Sequence, residues 1–216
     1  MRLVLPLILS VLLANASFGQ NMEPKLSLHA ELCLPSTIAN EPFSDIMQGL
    51  ACGTAYVQYA FPFHLHFGGG IRYTLFTVNE FAVPDEIYGN IQTGSAFVSV
   101  GWDKFHNDRF ATDFSVKFGY AENFVLTDVN EANGLYPLRV SSTLIEPSLG
   151  LILAVDEFNS YRLHVGYSIY GYGFKPGLIG MQSNEGYDPA GFSKLTQFLL
   201  IGFGYTYYFN EDKRRD

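Results

Sequence analysis

Beyond its first 19 residues the chain has no apolar run that approaches the roughly 20 residues a membrane-spanning helix needs. If the protein enters a bilayer, it does so as strands. Positive charge is also scarce. Thirteen Lys and Arg face 21 Asp and Glu, a net charge of −8, and no basic stripe concentrates them. Electrostatic attraction to phosphates is therefore lacking, and a nucleic-acid partner is not expected. Cysteine is nearly absent: Cys33 and Cys52 allow one bridge at most. No Gly-x-Ser-x-Gly occurs, so the sequence offers no nucleophile elbow.

The N-terminus is organised as a signal peptide. Arg2 supplies the positive charge, residues 3–14 form an apolar stretch, and Asn15-Ala16-Ser17-Phe18-Gly19 is rich in small residues. Cleavage is expected after Ala16 or Gly19, with the second preferred. Removing residues 1–19 takes away one charge, Arg2, and moves the net charge from −8 to −9. The rest is expected to be one domain over residues 20–209, followed by a short charged tail over 210–216.

Alternation with period 2 dominates this domain. Over residues 25–34, Leu26, Leu28, Ala30, Leu32 and Leu34 fall on one face; Lys25, Ser27, His29, Glu31 and Cys33 fall on the other. A helix would mix the two sets, whereas a strand separates them. The pattern recurs at 54–61, 65–77, 94–103, 110–120, 143–155, 161–172 and 196–209. Eight strands result. Three joints are short and carry turn residues, at 62–64, 104–108 and 156–160. Four are long, at 35–53, 78–93, 121–142 and 173–195. Short turns on one side and long loops on the other, with an even strand number, define an eight-stranded antiparallel up-and-down transmembrane β-barrel. Tyr59, Phe61, Trp102, Phe110, Tyr161, Tyr207 and Phe209 cluster at the short-turn end, as an interfacial girdle would. A soluble lipocalin-like barrel would reverse the faces and is the alternative. Pro147 within the sixth strand calls for a bulge or a later strand start. Gly68-Gly69-Gly70 in the third calls for a bend or close packing.

With the leader, the eight strands and the aromatic segment 198–209 (Phe-Leu-Leu-Ile-Gly-Phe-Gly-Tyr-Thr-Tyr-Tyr-Phe) in place, the chain resembles the small outer-membrane β-barrel family, the OmpA/OmpX-like and porin-domain group. The resemblance covers nearly all of the mature chain and rests on pattern. It implies export to the outer membrane of a Gram-negative bacterium and recognition of the last strand by the barrel-assembly machinery. It also implies contact with outer-membrane lipids and lipopolysaccharide, and a monomer. One departure is the charged tail after Phe209, too short for a peptidoglycan-binding domain.

Parity turns Lys25, Glu31, Arg72, Asp103, Asp113, Lys117, Glu146 and Arg162 inward, four positive and four negative. Unpaired buried charge is costly, so balanced charge in a narrow lumen reads as a paired plug. The alternative is a narrow path for ions or small solutes, lined by Arg72, Asp113, Lys117 and Arg162. His29, His66 and His164 are also inward, as polar members of the same network. Their spacing is too dispersed to suggest three or four converging ligands, so no metal and no cofactor are expected. Cys33 and Cys52 flank the first long loop. An oxidising compartment would allow a disulfide there, unless they are two unrelated small residues. No catalytic residue is assigned. His164 and Ser168 share a face with Glu146 nearby, but strand positions i and i+4 lie about 13 Å apart. A lipid-modifying enzyme is thus the weakest reading, and a structural or surface-interaction role the leading one. The acidic loops, with Glu41, Asp45, Glu80, Asp85, Glu86, Glu122, Asp128, Glu131, Glu185 and Asp188, would carry that contact.

Overall fold

The computed structural model describes residues 25–83, 87–107, 109–181 and 187–209, without the side chains of Lys25 and Ala190. The leader expected over 1–19, the tail 210–216, and Asp85, Glu86 and Glu185 lie outside the described residues. Eight strands run in chain order: β1 (Lys25–Ala39), β2 (Met47–Ala60), β3 (Leu65–Val78), β4 (Gly89–Phe105), β5 (Phe110–Thr127), β6 (Leu138–Ala154), β7 (Asn159–Tyr170) and β8 (Thr196–Phe209). Each pairs antiparallel with its neighbours, and β1 pairs with β8 to close the barrel. Closure leaves no unpaired edge, which is what a strand protein in hydrocarbon requires.

The burial pattern decides between lipid and water. Leu32, Ile71, Val98, Leu149, Leu163 and Ile201 point outward and are each more than half exposed. Glu31, Arg72, Asp113, Lys117, Glu146 and Arg162 point inward and are buried. An apolar exterior around a charged interior is the reverse of a lipocalin-like barrel and fits a bilayer. At the short-turn end Tyr59, Trp102, Phe110, Tyr161, Tyr207 and Phe209 remain partly exposed on the outer face. The turns close through side-chain caps. Asp156 Oδ1 accepts from the backbone N–H groups of Phe158 and Asn159, both at 2.8 Å. Asn107 Oδ1 accepts from those of Arg109 and Phe110 at 2.9 and 2.8 Å.

The strands run further than their alternation suggests. β1 reaches Ala39 and β2 begins at Met47, so the first loop shrinks from 35–53 to residues 40–46. β4 starts at Gly89, β5 continues to Thr127 and β6 starts at Leu138. The added segments are interrupted by glycine and polar residues, which weakens the hydrophobic pattern. Backbone pairing does not need that pattern, and the ladders continue through them. Pro147 causes neither a bulge nor a late start. Its ladder to β5 is intact, and pairing to β7 lapses only between Ile145–Ile169 and Ser148–Gly166, where its missing N–H falls. The three glycines leave β3 continuous on both sides. They serve close approach: a Cβ on Gly70 would sit 2.2 Å from the Ala55 carbonyl oxygen and 2.3 Å from Tyr56 Cβ.

In the long-loop half of the barrel the inner face turns apolar. Phe76, Ile91, Val125, Leu144, Tyr170, Phe198 and Leu200 are fully buried there. A short helix, α1 (Glu41–Ile46), adds Phe43 and Ile46 from the first loop. Asn40, with φ of 71°, caps α1 through Oδ1 and donates from Nδ2 to the carbonyls of Phe174 and Lys194. The same tie recurs at α2 (Asp128–Ala132): Asn130 Nδ2 donates to the Leu178 carbonyl and Thr127 Oγ1 to that of Ile179. The rings of Phe43, Phe76, Phe198 and Tyr170 follow one another at centroid spacings of 5.1 Å. This aromatic chain links the first loop to β3, β8 and β7.

Candidate functional site

Register and parity bring the inward charges into one chain of alternating sign. Arg72 on β3 meets Glu146 on β6 through both guanidinium nitrogens, with Nη2 donating to Oε1 at 2.6 Å. These strands are not neighbours, so the pair crosses the lumen. Lys117 on β5 lies 3.3 Å from Glu146 Oε1 and 3.5 Å from Glu31 Oε2 on β1, again across the lumen. Arg162 on β7 then donates to Glu31 Oε1 at 2.6 Å and to Asp113 Oδ2 on β5. Asp113 Oδ1 lies 3.0 Å from His66 Nε2, which lies 3.5 Å from Asp103 Oδ1. Each carboxylate except Asp103 contacts a permanent cation. The Lys25 side chain lies outside the described residues.

Uncharged groups complete the chain. Tyr56 Oη donates to Glu31 at 2.9 Å and accepts from Arg162 at 2.6 Å. Its ring stacks on His29 at 4.3 Å, and Lys117 Nζ lies 5.4 Å from its centroid. Phe97 receives Lys117 on one side and Arg72 on another, at 5.3 and 5.8 Å. Such cation–π contacts suit ammonium and guanidinium groups cut off from water. Facing glycines provide the room: a Cβ on Gly101 would meet the His66 ring at 2.4 Å, and one on Gly150 would meet Arg162 Nε at 2.5 Å.

Several expected groupings come out differently. His29 bonds Ser27 Oγ and Thr206 Oγ1 at 2.9 Å and takes no part in the ion chain. His164 Nε2 stands 3.8 Å from Glu31 Oε2. Ser168 Oγ donates to Glu146, so it serves a carboxylate and not an imidazole. Cys33 and Cys52 sit opposite each other within the wall, away from the loop rim, and are joined by a disulfide with Cα atoms 4.8 Å apart. The dispersed spacing of the histidines hid one convergence. His66, Asp103 and Asp113 lie on three successive strands, and one ligand atom from each falls within 4.8 Å of the others. The signal available in the sequence was strand register, since Asp103 pairs with Asp113 and His66 with Gly101.

No family model matches the sequence, and no curated protein matches it. Solved structures do. Neisserial surface protein A is 12% identical with a TM-score of 0.51, over 86% of this chain and 97% of that one. A major outer membrane protein from Thermus thermophilus is 11% identical with a TM-score of 0.51, over 87% of this chain and 100% of that one. The chain has the fold of the small outer-membrane β-barrels. At this identity the likeness covers architecture alone.

Proposed function

We propose that the protein is an integral barrel of a Gram-negative outer membrane, with a structural or surface-interaction role and a lumen that does not conduct. The observation that carries this reading is the ion chain from Arg72 to Asp113, which crosses the lumen twice with buried partners. Opening a water path would require these short ion pairs to break and the side chains that fill the lumen to move aside together. The aromatic cluster above it supports the same conclusion, because it fills the outer half with side chains that offer an ion nothing.

Function then falls to the outer rim. Phe81, Tyr88 and Tyr136 are at least half exposed there, beside exposed Glu80, Asp128 and Glu131. Rings with acidic neighbours suit contact with outer-membrane lipid and, through bridging divalent cations, with lipopolysaccharide. The protein would reach this place as a monomer through the periplasm, its last strand read by the assembly machinery. An enzymatic role has less support, because Ser168 Oγ donates to Glu146 while His164 stands nearest a different carboxylate, Glu31, and no hydrogen bond joins the two as nucleophile and base.

The test is single-channel recording of the refolded mature chain in a planar bilayer, after heat-modifiable migration has shown that it is folded. A silent, inserted barrel is expected. Steady openings would overturn the proposal in favour of a pore lined by Arg72, Asp113, Lys117 and Arg162.

A further inference from the structure

Like charges placed directly opposite each other on adjacent strands repel, and burial magnifies the cost. Asp103 on β4 faces Asp113 on β5 across the ladder, and both are buried. Asp113 is compensated by Arg162 through Oδ2. Asp103 has no such contact: among the described residues its one partner within ion-pair distance is His66, Arg162 acts on it only from farther away, and its Oδ1 accepts no hydrogen bond. A chain that alternates in sign from Arg72 onward therefore ends on a carboxylate with no permanent cation.

We infer that His66, Asp103 and Asp113 form a binding site for one divalent transition-metal ion of the zinc type. The donor set is one imidazole nitrogen and two carboxylate oxygens, which with a water makes four ligands. Two donors each about 2.05 Å from a tetrahedral ion lie about 3.4 Å apart. His66 Nε2 stands 3.0 Å from Asp113 Oδ1 and 3.5 Å from Asp103 Oδ1, two separations close to the one the ion sets, and the three ligand atoms all lie within 4.8 Å of one another. Arg162 on the remaining oxygen of Asp113 would fix that carboxylate's orientation without touching the ion. Gly101 lets the His66 ring lie flat against β4, because any side chain there would displace it.

Access is from the short-turn mouth. Asp103 lies near the end of β4, and its backbone N–H donates to the carbonyl of His64 in the β2–β3 turn. Its side chain keeps 8% exposure against 2% for His66 and 4% for Asp113, making it the ligand nearest solvent. The bound ion would staple β3, β4 and β5 at the periplasmic mouth, whether or not the lumen conducts. Imidazole with carboxylate favours zinc over magnesium or calcium, which take all-oxygen shells.

The experiment uses the mature barrel refolded in lipid vesicles, with zinc chloride as the probe. Equilibrium dialysis with elemental analysis gives the stoichiometry, and urea titration gives stability with zinc and with EDTA. One zinc per chain is expected for wild type. Asp103→Asn and His66→Gln should each weaken binding by more than the roughly 10–100-fold typical of changes to groups that only orient a ligand. His106→Ala, on an exposed histidine outside the site, should bind as wild type. A crossing in stability would be diagnostic. In EDTA, Asp103→Asn should resist urea better than wild type, because it relieves the carboxylate pair; in zinc the order should reverse. No uptake by wild type, equal uptake by Asp103→Asn, or loss of uptake in His106→Ala would each overturn the site.

Discussion

Removing the Arg72 guanidinium is the sharpest test of what the lumen charges do. In Arg72→Met the side-chain volume is roughly kept, and Glu146 stays fully buried with Ser168 and Lys117 as its remaining partners. Lys117 already serves Glu31, so one ammonium must answer two carboxylates. Breaking a buried pair from one side costs about 3–5 kcal/mol, because the partner's desolvation is left uncompensated. With a urea slope of about 2 kcal/mol per M, a loss of about 4 kcal/mol moves the midpoint by about 2 M. Removing both members, Arg72→Met with Glu146→Gln, should recover most of the loss, since a desolvated pair is worth little against neutral groups of similar size. The assay is urea unfolding in vesicles followed by the fluorescence of Trp102, the one tryptophan, which faces outward near the short-turn end of β4. A double variant as unstable as the single one would refute the reasoning. The loss would then come from packing of Arg72 against Phe97 and not from stranded charge.

Two further outcomes follow from the wall itself. Converting Cys33 and Cys52 to serine releases a link between residues 19 apart in sequence, worth about 3 kcal/mol in the chain-entropy account. The variant should lose its heat-resistant gel form at lower temperature, and a reductant should bring unfolded-then-refolded wild type to the same point. Gly70→Ala places a methyl group against the Ala55 carbonyl and Tyr56 Cβ, where backbone must move. It should cost about 1–3 kcal/mol in the urea assay, whereas alanine at Gly94, with no atom within 4 Å, should cost little.

The wall was legible because one physical rule governs it. Lipid outside and side chains inside force period-2 alternation, and residues such as Phe110, Phe114 and Phe118 against Asp113 and Lys117 display it without help from context. Where the rule relaxes, legibility fades. Residues 47–53 and 121–127 still pair, yet the first mixes glycine and the second polar residues with apolar ones on faces that hydrophobicity alone does not separate. Strand ends set by backbone hydrogen bonds are invisible to a side-chain pattern. The same limit hid the apolar half of the lumen. Phe76, Phe198 and Leu200 share parity with polar positions, and they are buried by one another and by segments that arrive from the loops, Phe43 and Ile46 of α1 with Phe174 and Ile179.

The interior follows a different logic. Parity says that Glu31, Arg72, Lys117, Glu146 and Arg162 point inward, but contact across the lumen depends on the axial height of each residue, which is a property of register summed around the barrel. Arg72 and Glu146 lie on strands three apart, and nothing in their separation of 74 residues marks them as partners. A local rule does reach Asp103 and Asp113. They belong to consecutive strands joined by a short turn, and once β4 is known to run on to Phe105 opposite Ala111, counting back two residues places one against the other. Two carboxylates opposed in this way demand a counter-charge, and the histidine next in line is a ligand as much as an acid. A site assembled one residue per strand carries no compact motif, so it emerges from the repulsion it must relieve and not from spacing in the chain.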